Sequence, residues 1–504
     1  MPGALPTASL RTTATRPINV PSHRAASRSC GRRMSWYPAT TRRFPPDVIR
    51  MAADLAAFDA LCDERFDRWV DELREFCAIP SETDQFPDLE RAAGWVEERL
   101  GAAGAEVTVL REEGVPALIV GELGTGPRTL IAVQHYDVQP AAPLDLWDTK
   151  PYDPSLRDGR LYARGVCDDK GELLHRIQAV EALRDAIGEL PCRVRFVVEG
   201  EEESDSAHLA TLLAQRPEFF EGNGALIEGG GVDEKGRPQL VCGVRGMVYA
   251  QLTVRTLGFD AHSGGAQLLP NAAWRLIEAL ATLRAPDGTV TIDGFLDDLA
   301  SPTQEQLDHL RTLPFEEEEI KRIYAIREFV GGLTGRAAQI ADTFRPTCNI
   351  SGISSGWTDP GVKTITPAEA FAKVDMRLIP HQDPARIAGQ LRAHLDRRGF
   401  QDVAMTVFRG EHPYWTPISD PIVDAAERAH TVIFEERPLR WFSAGGTAPM
   451  HQVCAPHRLP MVTLGAGDPE VRAHAPNESY SLDLMRRAVR VTGRFLGEFA
   501  AIAT

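Results

Sequence analysis

The chain has 504 residues, of which 43% are hydrophobic and 25% are charged, and its net charge is −16. This length suits two or three domains, and the composition is typical of a globular protein. The negative charge argues against nucleic-acid binding, which needs a basic surface. The sequence also contains no run of about 18 apolar residues, the length that a membrane-spanning helix requires. We therefore expect neither a nucleic acid nor a membrane among the partners.

The eight cysteines are scattered along the chain without a Cys-x-x-Cys pair. In a chain of this length the pattern is typical of reduced thiols in a reducing compartment, and it predicts a cytoplasmic location. Because a thiolate zinc site is disfavoured, any metal ligands should be histidine, aspartate or glutamate.

The first fifty residues contain nine arginines but only one acid, Asp47. A basic, hydroxyl-rich and acid-poor segment is typical of an organellar transit peptide, but also of a disordered tail. A third interpretation is an overextended start, with initiation at Met34 or Met51. We predict that residues 1–52 form a tail outside the folded part, with organellar targeting left open.

Strands and helices alternate from about residue 53 onward. Helices are predicted at Phe66–Ile79, Leu89–Leu100 and Glu172–Ala186, and strands at Glu106–Leu110, Ala117–Val120, Thr129–Gln134 and Arg193–Val198. This alternation predicts an α/β domain with a mostly parallel sheet and helices on both faces.

The pattern changes after Gly243-Val244-Arg245-Gly246. Strands at Met247–Arg255, Phe371–Leu378 and Ala404–Phe408 then alternate with helices at Pro270–Leu283 and Pro384–Arg397, which predicts a compact α+β insert. The last elements are a helix at Pro421–Val432, a strand at Pro460–Gly465 and a helix at Ser481–Phe499. The predicted domains are therefore residues 53–244 with 414–504, and an inserted lid or dimerisation domain at residues 245–413.

His135 and Asp137 follow directly after an apolar strand. Side chains at positions i and i+2 of a strand share a face, so a carboxylate lies beside an imidazole, as it does around many metal-binding histidines. The carboxyl ends of strands are also where α/β sheets bind ligands. A His-x-Asp motif alone is weak, and a structural role for both residues remains open.

Three further loops carry acids or a histidine after predicted strands or before a helix. Asp168 and Asp169 are flanked by glycines, although an aspartate there is also a common helix N-cap. Glu201, Glu202 and Glu203 follow an apolar strand, where a solvated turn is the alternative. His474 follows the strand at 460–465. The loops together, rather than any single one, predict a metal site.

These segments resemble, in order, a family of co-catalytic zinc enzymes. The matching stretches are HYDVQP at 135–140, LYARGVCDDKG at 161–171, EGEEES at 199–204, DAHSG at 260–264, KTITP at 363–367, MRLIP at 376–380, GGTAP at 445–449 and AHAPNE at 473–478. The family includes carnosine dipeptidases, glutamate carboxypeptidases, acetylornithine deacetylases and succinyl-diaminopimelate desuccinylases. The cytosolic nonspecific dipeptidase branch resembles this chain most.

The resemblance implies two Zn²⁺ ions per subunit, with Mn²⁺ or Co²⁺ as alternatives. The implied metal ligands are His135, Asp168, Glu203, Glu228 and His474, with Asp168 shared by both ions. Asp137 would orient His135, and Glu202 would be the general base that takes a proton from the water between the ions. The resemblance also implies a cis peptide between Asp168 and Asp169.

The fourth carboxylate departs from the dipeptidase pattern. Dipeptidases of this family carry aspartate at the corresponding strand end, whereas this chain has Glu228, as carboxypeptidase and deacylase members do. Asp233, farther along the loop, is the alternative ligand. This departure leaves open whether a free α-amino group is recognised.

The resemblance also implies a substrate site and a homodimer formed through the insert. The implied substrate-binding residues are His262, Thr364, Arg377, Gly446 and Thr447, with His262 reaching into the partner's site. The predicted function is metal-dependent hydrolysis of the amide bond of a dipeptide or short peptide. The alternatives are an N-acyl-amino-acid deacylase or carboxypeptidase, and a catalytically inactive binding homologue.

Overall fold

The computed structural model describes residues 46–204 and 206–503. The chain divides into two units, residues 1–49 and residues 50–504. Most of the predicted N-terminal tail, residues 1–45, lies outside the described residues, whereas residues 46–52 belong to a helix that begins at Pro46. Among the described helices, none is long and apolar enough to cross a membrane.

Within the described residues there are twelve α-helices. They are α1 (Pro46–Cys77), α2 (Phe86–Ala102), α3 (Lys170–Ile187), α4 (Leu209–Gln215), α5 (Ala272–Leu280), α6 (Gln304–Leu310), α7 (Glu317–Ile323), α8 (Gly335–Phe344), α9 (Pro384–Arg397), α10 (Pro421–Phe434), α11 (Met450–Cys454) and α12 (Leu482–Ala500).

The same residues contain twenty strands. They are β1 (Glu106–Glu112), β2 (Val115–Leu123), β3 (Thr129–His135), β4 (Ser155–Arg157), β5 (Arg160–Tyr162), β6 (Arg193–Glu199), β7 (Gly224–Ile227), β8 (Gly231–Val232), β9 (Pro238–Val241), β10 (Gly243–Val244), β11 (Gly246–Arg255), β12 (Ala261–His262), β13 (Asn349–Ser355), β14 (Ile365–Thr366), β15 (Glu369–Leu378), β16 (Val403–Glu411), β17 (Tyr414–Trp415), β18 (Leu439–Trp441), β19 (Met461–Thr463) and β20 (Ser479–Ser481).

The largest sheet has six strands in the order β1-β2-β6-β3-β7-β19. The strands β6, β3, β7 and β19 run parallel, and the hairpin β1–β2 joins antiparallel to β6. His135 lies opposite Glu199 in the register of β3 and β6. The carboxyl ends of the parallel strands therefore meet at one edge, where the loops identified from the sequence follow them.

Both faces of this sheet are buried. Along β3, Leu130 and Ala132 pack in the core with helices α1, α2, α3, α10 and α12, while Ile131 and Val133 pack with α4 and α11. A strand covered on both sides is typically apolar at successive positions, which explains the run Leu130–Val133. Burying each such aliphatic side chain stabilises the fold by about 1.5–3 kcal/mol. The predicted α/β architecture with helices on both faces is confirmed.

The second sheet has four antiparallel strands in the order β13-β15-β11-β16. Burial alternates along β15, where Ala372, Val374 and Met376 are buried and Lys373 and Asp375 are partly exposed. The buried face packs against α5 and α9. This is the α+β insert that the sequence predicts.

The chain enters and leaves this region through two paired strands. In β10 and β17, Gly243 lies opposite Trp415 and Val244 lies opposite Tyr414. Glycine is required at position 243, because a Cβ atom there would overlap the carbonyl oxygens of Tyr414 and Phe442. These strands flank the segment that the sequence assigns to an insert.

Candidate metal centre

His135 is the last residue of β3 and is buried beside two carboxylates. Its Nδ1 lies 3.1 Å from the carbonyl oxygen of Asp137 and 3.3 Å from the Oδ1 atom of that residue, and its Nε2 lies 2.9 Å from Glu228 Oε2. A proton on Nδ1 is held by Asp137, which leaves the Nε2 lone pair for a cation.

Asp137 also positions the acidic turn after β6. Its Oδ1 accepts the backbone N–H of Glu202 at 3.2 Å, and its Oδ2 accepts that of Glu203 at 3.1 Å. A Cβ atom at Gly200 would overlap the buried ring of Tyr136, so only glycine lets the turn approach β3 this closely. One buried carboxylate thus fixes both the histidine and the glutamates.

Asp168 lies between two imidazole rings. Its Oδ1 is 3.1 Å from His135 Nε2, and its Oδ2 is 3.0 Å from His474 Nε2. His474 Nε2 also lies 3.2 Å from Glu203 Oε2. The structure therefore brings together the five side chains that the sequence identified, although Asp168 and His474 are about 300 residues apart in the chain.

The donor atoms form two groups of three, each with its atoms within 4.8 Å of one another. One group contains His135, Asp169 and Glu228, and the other contains Asp168, Glu203 and His474. Asp169 Oδ2 already accepts the backbone N–H of His135 at 3.1 Å. Because Asp168 contacts the ring nitrogens of both histidines, it is the better candidate for a ligand shared between the groups. The peptide between Asp168 and Asp169 is cis, as expected.

The electrostatics of this cluster favour positive charge. Burial lowers the pKa of His135, but Glu228, Asp137 and Asp168 outweigh it and raise that pKa well above its usual value. Hydrogen bonds to Asp168 and Glu203 raise the pKa of His474 to about 10. Burial raises the pKa of Asp168, but hydrogen bonds and attraction to His135 and His474 have a larger, opposite effect. The net result is a pKa below the usual range. Carboxylates that hold protons on imidazoles in this way would equally attract a metal cation.

Glu202 lies beside this cluster in a short 3-10 turn, Glu202–Ser204. Burial, together with the nearby charge of Glu228, raises the pKa of its carboxyl group well above the usual value. Glu203 is fixed instead by Gln139, whose Nε2 donates to Glu203 Oε2 at 2.9 Å. A carboxyl group whose pKa is shifted toward neutrality is suited to accept and return a proton.

Glu478 is a supporting residue to which sequence reasoning assigned no role. Its Oε1 accepts the backbone N–H groups of Cys167 and Asp168, and its Oε2 accepts the N–H of Gly165 and the guanidinium of Arg164 at 2.7 Å. Glu478 and Arg164 are both almost fully buried. The pair fixes the loop that presents Asp168, and the motif AHAPNE was the only signal that could have identified it.

Glu172 supports the opposite side of the cluster. Its Oε2 accepts the backbone N–H of Gly229 at 2.9 Å and pairs with Arg176 at 3.0 Å, and its Oε1 accepts the N–H of Ala466. Burial raises the pKa of Glu172 to about 7, with Arg176 opposing this effect. Helix α3 is thereby joined to the loops after β7 and β19.

Glu228 and Asp233, the two candidates for the fourth carboxylate, differ in their contacts. Glu228 reaches the ring of His135, whereas Asp233 Oδ2 pairs with Arg237 at 2.6 Å and its Oδ1 accepts the backbone N–H groups of Lys235 and Arg237. Asp233 therefore stabilises its own loop, and Glu228 is the one of the two that faces His135.

The residues predicted to bind substrate fall into two sets. Arg377 on β15 donates to Thr447 Oγ1 at 2.6 Å, and the carbonyl of the adjacent Gly446 accepts the N–H of Arg245. His262 and Thr364 are both exposed and lie on neighbouring segments, because Ser263 N–H donates to the Thr364 carbonyl. In the described part of the chain no hydrogen bond connects His262 with Arg377 or Thr447.

Comparisons with known proteins agree with this geometry. The model of peptidase family M20/M25/M40 matches residues 132–498. The chain belongs to this family. It is therefore a hydrolase of amide bonds, and the cluster of imidazoles and carboxylates is its candidate site for two metal ions.

Three relatives illustrate the similarity. The rat β-Ala-His dipeptidase is 29% identical over 442 residues, which covers 82% of this chain and 89% of the relative. The structure of an M20-family metallo-carboxypeptidase from Sulfolobus solfataricus superposes with a TM-score of 0.81 and 31% identity, covering 86% of this chain and 99% of that one. The structure of human carnosine dipeptidase 1 has a TM-score of 0.75 and 26% identity, covering 89% and 99%.

Proposed function

We propose that this protein is a dipeptidase that uses two zinc ions. His135 and Glu228 hold one ion, Glu203 and His474 hold the other, and Asp168 binds both. The observation that carries the proposal is the placement of the two Asp168 oxygens within 3.1 Å of two imidazole nitrogens, each with a second carboxylate beside it.

The chemistry of the side chains fits zinc. Imidazole nitrogens and carboxylate oxygens without thiolates are common zinc ligands, and they also accept Mn²⁺ or Co²⁺. The carboxylates Asp168, Glu203 and Glu228 offset most of the charge of two divalent ions, which lowers the free-energy cost of burying them. The neighbouring Asp137 carboxylate orients His135, as expected for a metal-binding histidine.

In this proposal the metal ions and Glu202 have different catalytic roles. Bound metal ions supply Lewis acidity, lowering the pKa of the attacking water and polarising the scissile carbonyl. Glu202 accepts the proton of that water and returns it to the leaving amine. The backbone N–H of Glu202 is fixed by Asp137 at 3.2 Å, so the carboxylate is presented from a rigid turn.

Arg377 and Thr447 bind the substrate carboxylate in this proposal. A guanidinium group offers a forked pair of donors that matches a carboxylate, and the 2.6 Å hydrogen bond to Thr447 holds the group in place. His262 donates a hydrogen bond to the scissile carbonyl as negative charge develops on its oxygen. The names of the rat and human relatives support a dipeptide substrate.

A second candidate function is a carboxypeptidase or N-acyl-amino-acid deacylase. Two observations favour it: the glutamate at position 228, and the 31% identity with the Sulfolobus metallo-carboxypeptidase. The two functions differ in whether the amino group of the substrate must be free. Hydrolysis of a dipeptide and of its N-acetylated form separates them.

The decisive experiment is a substrate panel of dipeptides, longer peptides and N-acetylated amino acids, assayed with and without a chelator. We expect dipeptides to be cleaved fastest, chelation to abolish the activity, and added Zn²⁺ to restore it. Faster cleavage of N-acetylated substrates would establish the second candidate instead. Absence of amide hydrolysis by a protein that contains two metal ions per chain would refute both.

We further propose that the active form is a homodimer assembled through the insert. Trp274 and Ile277 on α5 are 65% and 45% exposed, and Ile350 and Ile353 on the edge strand β13 are about half exposed. A second copy is the occupant that the edge strand favours, because β13 can pair antiparallel with its own copy across a two-fold axis. The test is the mass in solution: a dimer is expected, and Trp274→Glu should give a monomer.

We place the protein in a reducing compartment, with the cytoplasm as the specific proposal. The seven cysteines in the described residues are free, and six of them are buried. Free buried thiols are the normal state where glutathione keeps proteins reduced. Fractionation of the source cells tests the location, and recovery in an oxidising compartment or an organelle would contradict it.

A further inference from the structure

A small void is lined in part by the proposed general base, Glu202. It has a volume of about 10 Å³, and its lining includes His135, Glu199, Glu202 and Glu228 together with Pro449 and Met450. A space of about 10–15 Å³ accommodates a single water molecule, provided that polar groups surround it.

Two polar side chains on the wall of this void have unpaired atoms. Glu199 is only 5% exposed; its Oε1 accepts the hydroxyl of Ser206 at 3.0 Å, whereas its Oε2 has no hydrogen-bond partner among the described residues. Gln134 also borders the void, and its Oε1 is likewise buried and unpaired within that part of the chain. A buried polar atom without a partner costs roughly 1–3 kcal/mol, so both atoms favour a bound water.

The side chain of Glu202 also lacks a fixed partner. Its backbone N–H is bonded to Asp137, but its carboxylate makes no hydrogen bond with another side chain in the described residues. A carboxylate that transfers protons needs a defined orientation, because catalysis falls steeply when a reacting group is misplaced by about 1 Å. Glu202 and Glu199 line the same void.

We propose that the void binds one water molecule, that this water joins Glu199 and Gln134 to the carboxylate of Glu202, and that Glu199 is therefore a positioning residue for the general base. The inference rests on the proposed function, since it gives Glu199 a role only if Glu202 transfers protons. Glu199 acts through the water and does not touch the substrate.

The test compares Glu199→Gln and Glu199→Met in the zinc-loaded enzyme. Gln keeps a hydrogen-bonding group on the void, so its kcat should stay within about threefold of wild type, whereas Met should lower kcat about 10- to 100-fold with KM and metal content unchanged. An unchanged kcat in Glu199→Met would overturn the inference, and so would an equal loss in both variants. Lack of activity in the wild type would instead refute the proposed function.

Glu411→Met is the matched control, since Glu411 is a buried glutamate whose oxygens are bonded by Gln452 and by the N–H of His412. It should lose stability but keep its kcat. A high-resolution crystal structure of the wild-type zinc enzyme gives a second, independent measurement. An ordered water within hydrogen-bond distance of Glu199 Oε2 supports the inference, and a void without one overturns it, even if Glu199→Met does not fold.

Discussion

The guanidinium group of Arg377 donates a 2.6 Å hydrogen bond to the hydroxyl of Thr447. The bond joins the small sheet of the insert to the loop before α11, and thereby connects two parts of the chain that the sequence separates by 70 residues. Burial lowers the pKa of Arg377 relative to its usual value, and a substrate carboxylate placed there would restore the lost solvation.

Replacing Arg377 with Met should weaken binding of substrates that carry a free carboxylate. A hydrogen bond to a charged group contributes about 1.5–3 kcal/mol, so KM should rise roughly 10- to 100-fold with a smaller change in kcat. The measurement is steady-state kinetics on a dipeptide and its C-terminal amide. Arg397→Met, which removes a surface ion pair with Asp293, is the control. An equal rise in KM for the amide would contradict the assignment.

Replacing Glu202 with Gln should leave both metal ions bound but lower kcat about 10²- to 10⁴-fold, because the amide cannot accept the proton of the attacking water. Glu201→Gln is the matched neighbour, since the Glu201 carboxylate is bonded by the backbone and ring of His208. It should retain most of its turnover. If the two variants lose the same activity, the base has been misassigned.

Replacing Glu478 with Ala should destabilise the loop that carries Asp168. The change leaves the Arg164 guanidinium buried without its partner, and breaking such a pair costs about 3–5 kcal/mol. We expect a lower unfolding temperature and fewer than two metal ions per chain, measured by calorimetry and elemental analysis. Glu470→Ala, at a side chain that is 78% exposed, should change neither. A normal metal content in Glu478→Ala would contradict the positioning role.

His430 should make the fold sensitive to acid. Burial lowers the pKa of His430 from 6.5 to about 4, and its Nδ1 donates to the Ala426 carbonyl within α10. Between pH 6.5 and 4 the unfolded chain therefore binds a proton that the folded chain does not, so stability falls by about 3 kcal/mol as the pH decreases. In His430→Gln the acid-induced fall in unfolding temperature should be smaller. His457→Gln, at a histidine that is only partly buried, should behave like wild type.

The sequence predicts the positions of the central elements because each has a clear local spacing of apolar residues. The helix predicted at Pro384–Arg397 coincides with α9, and the strand predicted at Thr129–Gln134 differs from β3 by one residue. By contrast, no element was predicted between residues 284 and 370, where α6, α7, α8 and β13 are found. These helices have only seven to ten residues, which leaves little length for a helical pattern, and the apolar residues of the exposed strand β13, Ile350 and Ile353, do not alternate with a period of two.

Contacts between distant residues could not be derived from one sequence. Asp168 and His474 were grouped through resemblance to known motifs, whereas nothing local indicates that Arg164 is paired with Glu478, 314 residues away. Buried charges of this kind depend on which segments the fold brings together. The structure alone therefore decides between Glu228 and Asp233 as the residue facing His135.

Lys170 follows Asp168 by two residues, and its ammonium group is fully buried. It donates to the carbonyls of Phe76 and Ile79 at the end of α1, and burial lowers its pKa to about 8. Amine-reactive reagents can acylate this lysine only after α1 has separated from α3. The rate of acylation of Lys170, followed by peptide mass spectrometry, therefore measures how often the N-terminal helix α1 separates from the rest of the fold.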